Sequence, residues 1–186
     1  MRVIAGSHRG RRLSGPRGTS LRPTSDKVRE ALFSILGTRV TGGRFLDLYA
    51  GTGAVGIEAL SRGAAAVTFV EASPAAAALL RKNLDTCHLA ERARVRVGLT
   101  DAFLARRDWW DGPYNVVFAD PPYAARAELD VLAGLGQAEL LTQDAVIVIE
   151  QASTAEVPET IGSATLNRRY EYGDTVLCVY HKTSRQ

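Results

Sequence analysis

The 186-residue sequence is poor in the features that mark several large protein classes. It has two cysteines, Cys87 and Cys178, which form neither a CxxC pair nor a metal-spaced cluster. That pattern argues against a disulfide scaffold and predicts two buried free thiols and no metal. No apolar run approaches the roughly 18 residues needed to span a bilayer. Met1 to Arg9 lack the apolar stretch of a signal peptide. The expectation is a soluble, cytoplasmic, monomeric protein with no membrane partner. Disorder is excluded by composition, since 46% of residues are hydrophobic and 23% charged. The length suits one domain that buries about 70% of its unfolded surface.

Acid is missing from the first 22 residues, and that absence shapes the charge distribution. Residues 1–44 carry ten Lys or Arg against two acids, whereas the remainder carries thirteen basic and eighteen acidic residues. A net charge of +3 therefore conceals a +8 leader and a −5 body. A basic, glycine-spaced leader suits a polyanion, because Arg grips phosphate bidentately and glycine lets the backbone follow an irregular surface. The bland alternative is a solvated tail. The division predicts a flexible arm over 1–22, with a short β-hairpin in it, and a body over 23–186.

Apolar residues Val28, Ala31, Leu32, Ile35 and Leu36 recur at helical spacing after Thr24, a candidate N-cap, and before Gly37, a stop. Strand-like and helix-like segments then alternate. Strands are predicted over 45–50, 66–72, 94–98, 114–119 and 145–150, and helices over 54–61, 74–86 and 126–135. Two alternating strands, 165–172 and 175–181, meet at Gly173-Asp174, a hairpin signal. The fold class is α/β: a Rossmann-like, doubly wound, mostly parallel seven-stranded sheet closed by an antiparallel hairpin. Ligands of such sheets sit beyond the carboxyl ends of the strands, where strand order reverses. Function is therefore expected after Ala50, Glu71 and Ala119.

The first of these turns contains Gly51, Gly53 and Gly56 in a G-x-G-x-x-G pattern, and Glu71 lies twenty residues past Gly51. Glycines permit a tight turn with close ligand approach, and the acid accepts hydrogen bonds from ribose hydroxyls. Asp47, just upstream, would repel the pyrophosphate of a dinucleotide. It suits instead a positively charged ligand such as the sulfonium and amino group of S-adenosylmethionine. A loop-fixing role for Asp47 is compatible with this. Asp101, after the third strand, is placed to accept from an adenine amine, or else to cap a helix. The spacing favours the methyl donor, while an NAD-dependent oxidoreductase remains the alternative from another class.

Strand four ends in Asp120-Pro121-Pro122-Tyr123. Neither proline can donate to a sheet ladder. Pro122 holds Pro121 extended, so the Asp120 carboxylate and the Pro121 carbonyl become two fixed acceptors. A conjugated exocyclic amine is a poor nucleophile because its lone pair is delocalised. Two acceptors gripping its N–H groups would draw the nitrogen toward a tetrahedral shape and aim the lone pair at an electrophile. Tyr123 would hold the planar group by stacking.

These motifs resemble the class I S-adenosylmethionine-dependent methyltransferases with a D/N-P-P-Y/F motif. Three segments narrow the resemblance: Arg2 to Leu13, Leu21-Arg22-Pro23-Thr24-Ser25-Asp26-Lys27-Val28-Arg29-Glu30-Ala31-Leu32-Phe33, and Glu58 to Gly63. They resemble the RsmD type, the bacterial 16S rRNA guanine-N2 methyltransferases, over nearly the whole chain. The resemblance implies S-adenosylmethionine bound by Asp47, Ala50, Gly51, Thr52, Gly53, Glu71, Ala72, Asp101, Ala102 and Asp120. It implies that Asp120 and Pro121, with Pro122 and Tyr123, hold guanine N2. The partner implied is 16S rRNA within an assembled or assembling 30S subunit. Arg2, Arg9, Arg11, Arg12, Arg22, Lys27 and Arg29 are the candidate RNA contacts. Thr52 stands where the family often has Ser. Other amines, adenine N6 or glutamine N5, are alternative acceptors because enzymes acting on them share the four-residue motif.

Overall fold

A computed structural model describes residues 1–15, 25–122, 133–136 and 139–182. The helices are α1 (Asp26–Leu36), α2 (Ala54–Ser61), α3 (Pro74–Cys87) and α4 (Thr100–Ala105). The strands are β1 (Arg44–Leu48), β2 (Ala66–Glu71), β3 (Ala93–Val97), β4 (Tyr114–Ala119), β5 (Leu141–Ala152), β6 (Thr160–Ile161), β7 (Ala164–Tyr172) and β8 (Thr175–Lys182). They join in one sheet of order β3-β2-β1-β4-β5-β8-β7-β6. β3 through β5 pair in parallel, and β8 inserts antiparallel between β5 and β7.

The sheet has eight strands rather than the seven expected, because Thr160–Ile161 pairs with Ala164 and Thr165 around Gly162. Two residues are too few to carry a period-2 signal. α1 begins after Ser25, whose hydroxyl accepts the Val28 N–H at 3.2 Å, so Ser25 is the cap rather than Thr24. Gly37 ends the helix at φ 55, a left-handed backbone that glycine adopts without a Cβ clash. α4 follows β3 with neither Thr100 nor Asp101 as its side-chain cap. Of the helix expected over 126–135, residues 126–132 lie outside the described residues, and Ala133–Gly136 forms a 3-10 turn. The hairpin at Gly173-Asp174 forms as predicted, with Tyr172 opposite Thr175.

Alternation along the parallel strands builds two apolar clusters, one on each face. Phe45, Phe69, Phe118 and Val148 face α1, α2 and α3, packing with Leu32, Ile57 and Leu80. Leu48, Val70, Ala119 and Ile149 face the other way, with Phe103 and Leu104 of α4. Cys87 and Cys178 are free and buried, one in each cluster. No helix among the described residues is long and apolar enough to cross a membrane.

The leader is not a loose arm over its described length. Residues 1–13 fold into a hairpin, with the Val3 N–H donating to the Arg11 carbonyl and the Leu13 N–H to Met1, and Arg2 bridging Arg12. Val3 and Leu13 are buried in the α1–α3 cluster. A boundary at residue 22 falls outside the described residues.

Candidate active site

Four carboxylates converge at the carboxyl end of the sheet. Asp47, Glu71, Asp120 and Glu150 each stand two residues past an apolar residue of the α1–α3 face: Phe45, Phe69, Phe118 and Val148. The period of two puts all four on that face, with Glu71, Asp47 and Glu150 on β2, β1 and β5 and Asp120 directly after β4. The reversal of strand order between β1 and β4 opens the crevice between them.

β1 delivers Asp47 in full burial, and its Oδ2 accepts the Gly56 N–H of α2 at 2.8 Å. Burial pushes the Asp47 carboxyl well above the usual range, and the charges of Asp120 and Glu71 push it further, against the lowering by the Gly56 bond. The turn beyond Asp47 holds Gly51 at φ 54 and Gly53 at φ 79, both left-handed. Open space lies where a Cβ on Gly51 would point, so the turn offers a cradle. A Cβ on Gly56 would run into the Phe69 ring, which accounts for the third glycine of the pattern. Glu71 ties this turn to β2: one oxygen accepts the Gly51 N–H and the other the Ser73 N–H, both at 2.7 Å.

Asp120 leaves β4 half-buried, followed by a buried Pro121 and an exposed Pro122. Burial raises its carboxyl to about 7, and the charge of Glu150 contributes in the same direction. Asp101 and Ala102 are exposed in the first turn of α4, and Asp101 Oδ1 accepts the Ala102 N–H at 2.6 Å. Ala50 closes the glycine turn by accepting the Gly53 N–H, and Ala72 is exposed beside Glu71. A donor set of carboxylates crowded around a glycine cradle fits a cationic nucleoside such as S-adenosylmethionine and opposes a pyrophosphate. Tyr123 lies outside the described residues.

The chain matches the family profile described as "Conserved hypothetical protein 95" over residues 1–181. It belongs to this family, the RsmD/YlbH rRNA methyltransferases. YlbH of Bacillus subtilis (strain 168), whose name assigns it provisionally to the rRNA methyltransferases, is 38% identical over 182 residues, 98% of this chain and 99% of that protein. "Ribosomal RNA small subunit methyltransferase D" of Escherichia coli (strain K12) is 35% identical over 185 residues, covering 100% of this chain and 91% of that one. The solved structure of the Escherichia coli protein yhhF superposes with a TM-score of 0.86 at 36% identity, covering 100% and 99% of the two chains. The RsmD resemblance drawn from the sequence motifs therefore holds across the chain, and the protein is an S-adenosylmethionine-dependent methyltransferase.

In this RsmD/YlbH chain the basic hairpin is fastened to α1, α2 and α3 by several polar side chains, a buried acid first among them. Glu58 of α2 is fully buried and accepts the Ile4 N–H at 2.7 Å, the Ala5 N–H at 2.9 Å and Arg62 Nε–H at 2.8 Å. Arg29 Nε lies 3.9 Å from the same carboxylate. Ser61 donates to the Ala5 carbonyl and accepts the His8 N–H. Asn83 of α3 joins hairpin to glycine turn, accepting from Ser14 N–H and donating to the carbonyls of Ser14 and Thr52. Thr52 itself is buried, its hydroxyl 3.9 Å from Met1 Sδ.

Arg29 stands apart from the other candidate RNA contacts and corrects that expectation. It is 0% exposed, donating to the Arg2 carbonyl at 2.6 Å and to Asp26 at 3.0 Å. Its guanidinium bonds the hairpin to α1 and faces no solvent. Arg2, Arg9, Arg11, Arg12 and Lys27 are exposed, with Arg11 donating to the Thr86 carbonyl, and Arg22 lies outside the described residues. Trp109 and Trp110 pack on the α4 side of the core, the latter donating to the Phe103 carbonyl. The sequence reading missed Glu58 and Asn83 as fasteners and Glu150 as a member of the site. Only Glu150 left a signal, an acid closing a buried β-branched strand.

Proposed function

We propose that this protein moves a methyl group from S-adenosylmethionine to the exocyclic N2 of one guanine in 16S rRNA, within an assembled or assembling 30S subunit. One observation supports it above the others: Asp120 and the Pro121 carbonyl stand at the carboxyl end of β4, directly across the β1/β4 opening from the glycine turn. The names of its full-length relatives, rRNA and small-subunit rRNA methyltransferases, support the same substrate class.

Each residue then has a task. Glu71 accepts from the ribose of the methyl donor, Gly51 and Gly53 let it approach the backbone, and Asp47 offsets its positive charge. Asp101 accepts from the adenine amine. The bound donor supplies an electrophilic methyl group on a sulfonium. Asp120 and the Pro121 carbonyl accept the two N–H groups of guanine N2, localising its lone pair for in-line attack. A guanine must leave its stack to reach them, and Tyr123 receives it by stacking. The exposed Arg2, Arg9, Arg11 and Arg12, with Arg22 and Lys27, grip flanking phosphates.

A tritiated methyl donor offered separately to rRNA, DNA and protein pools tests the reading, with nucleoside analysis of the labelled product. Label in N2-methylguanosine of 16S rRNA is expected. Label in N6-methyladenosine or in protein would refute it. Comparing naked rRNA with 30S subunits identifies the substrate form.

A further inference from the structure

Glu150 has no task in the chemistry above, yet it stands beside the reacting site. It is 4% exposed. β4 and β5 run in parallel with Ala119 opposite Ile149, which sets Glu150 alongside Asp120 on the adjacent strand. Strands in a sheet lie about 4.8 Å apart, so the two residues are neighbours along the crevice edge. On its other side Glu150 faces Leu177 of β8, an apolar residue. The strands packed around Asp120 present Asp47 from β1 and Glu150 from β5, with Glu71 one strand further, and each of these groups is an acid.

Resting on the amine-methylation reading, we propose that Glu150 is a positioning residue for the transfer: its carboxylate beside Asp120 makes Asp120 the group that receives the proton released by the amine. In the step itself the amine lone pair forms a bond to the methyl carbon while the carbon–sulfur bond breaks, and sulfur leaves with that electron pair. The nitrogen is then a cation with one proton too many. The Asp120 carboxylate, already hydrogen-bonded to an N–H of that nitrogen, takes the proton and becomes neutral, leaving a neutral secondary amine. Water collects the proton as product departs. An ordinary Asp carboxyl, with its affinity for protons near 3.9, holds one poorly at neutral pH. Burial and the adjacent Glu150 charge bring Asp120 to about 7, where taking and returning a proton are both easy.

The test uses the full chain as wild type, Glu150→Gln, Glu150→Asp, Asp120→Asn and Asp120→Ala. Carbon NMR of aspartate-labelled protein reads the Asp120 titration directly, its resonance assigned by its loss in Asp120→Asn. Single-turnover transfer to 30S subunits reconstituted with unmethylated 16S transcript gives the pH–rate profile. In Glu150→Gln the Asp120 midpoint and the acid limb of the rate should both move down by about one pH unit, the scale of a neighbouring like charge. Glu150→Asp, which keeps the charge, should stay near wild type, and Asp120→Asn should lose the limb. Unmoved midpoint and limb in Glu150→Gln would overturn the proposal, as would an Asp120→Asn enzyme that keeps the limb. Full transfer by Asp120→Ala would instead remove the amine-binding reading beneath it.

Discussion

The attachment of the basic hairpin through Glu58 yields a quantitative expectation. Glu58→Gln keeps the shape of the side chain but removes the charge that faces Arg29 at 3.9 Å and Arg62 at 2.8 Å. Both Arg29 and Glu58 are 0% exposed at their side chains, and Arg29 Nε and Nη1 have no hydrogen-bond partner among the described residues. The guanidinium is thus held by the Arg2 carbonyl, by this carboxylate and by Asp26, which is itself half exposed. Removing one partner of a buried ion pair costs about 3–5 kcal/mol. A chain of this size loses about 2–4 °C of Tm per kcal/mol, so Tm should fall by roughly 6–20 °C. The Ile4 and Ala5 N–H groups donate to different oxygens of Glu58, so the Gln amide keeps an acceptor for one and turns its NH2 toward the other, which adds to the loss. Urea unfolding should show the loss in the midpoint at unchanged slope. Trypsin should cut faster at Arg9, Arg11 and Arg12 as the hairpin loosens. Combining Glu58→Gln with Arg29→Met should recover part of the loss, because the charge left behind is then gone. A Glu58→Gln protein within about 0.5 kcal/mol of wild type, or a double variant with simply additive losses, would refute this account of the attachment.

Four further outcomes are expected. Gly56→Ala should destabilise by about 1–3 kcal/mol in urea unfolding, since the added Cβ meets the Phe69 ring inside a packed core. Replacing Arg9, Arg11 and Arg12 by Ala should weaken rRNA binding and lower its salt slope by about 0.7–0.9 for every phosphate no longer neutralised, read by filter binding at several salt concentrations. Thermal unfolding of the donor-free protein should lose ground to Asp120→Asn as pH rises from 5 to 8. Asp120 binds its proton more tightly when folded, so its contribution is complete below the usual carboxylate range and is lost as pH passes about 7. S-adenosylmethionine, a cation, should accordingly raise Tm more at pH 8 than at pH 6.

Periodicity made most of the sheet readable, because each parallel strand is a short β-branched or apolar run bounded by turns. It placed α2 and β4 at their observed limits and brought Asp47, Glu71 and Asp120 to one end of the sheet. What it could not show depends on packing between residues far apart in the chain. Arg29 reads as one more positive charge beside Lys27, and only the return of α2 beneath it, 29 residues later, makes it a buried tie. The leader reads as a flexible arm with a short hairpin in it, and its packing onto the body stays hidden because Val3 and Leu13 are isolated apolar residues whose cover comes from α1, α2 and α3. Glu150 reads as the end of a strand until the register of β4 against β5 sets it next to Asp120.

The sheet order has a consequence for how the chain reaches its native state. The last strand in chain order, β8, is an interior strand: it separates β5 from β7 and buries Leu177, Cys178 and Tyr180. Until Thr175–Lys182 is in place, β5 presents an open edge whose Val146 to Ile149 form a run of apolar, β-branched residues. Such an edge is a template for pairing with other chains. Every copy therefore carries an aggregation hazard during synthesis that its own carboxyl-terminal strand removes. A chain cut at Gly173 should collect in insoluble material while Asp47, Glu71, Asp120 and Glu150 are all still present.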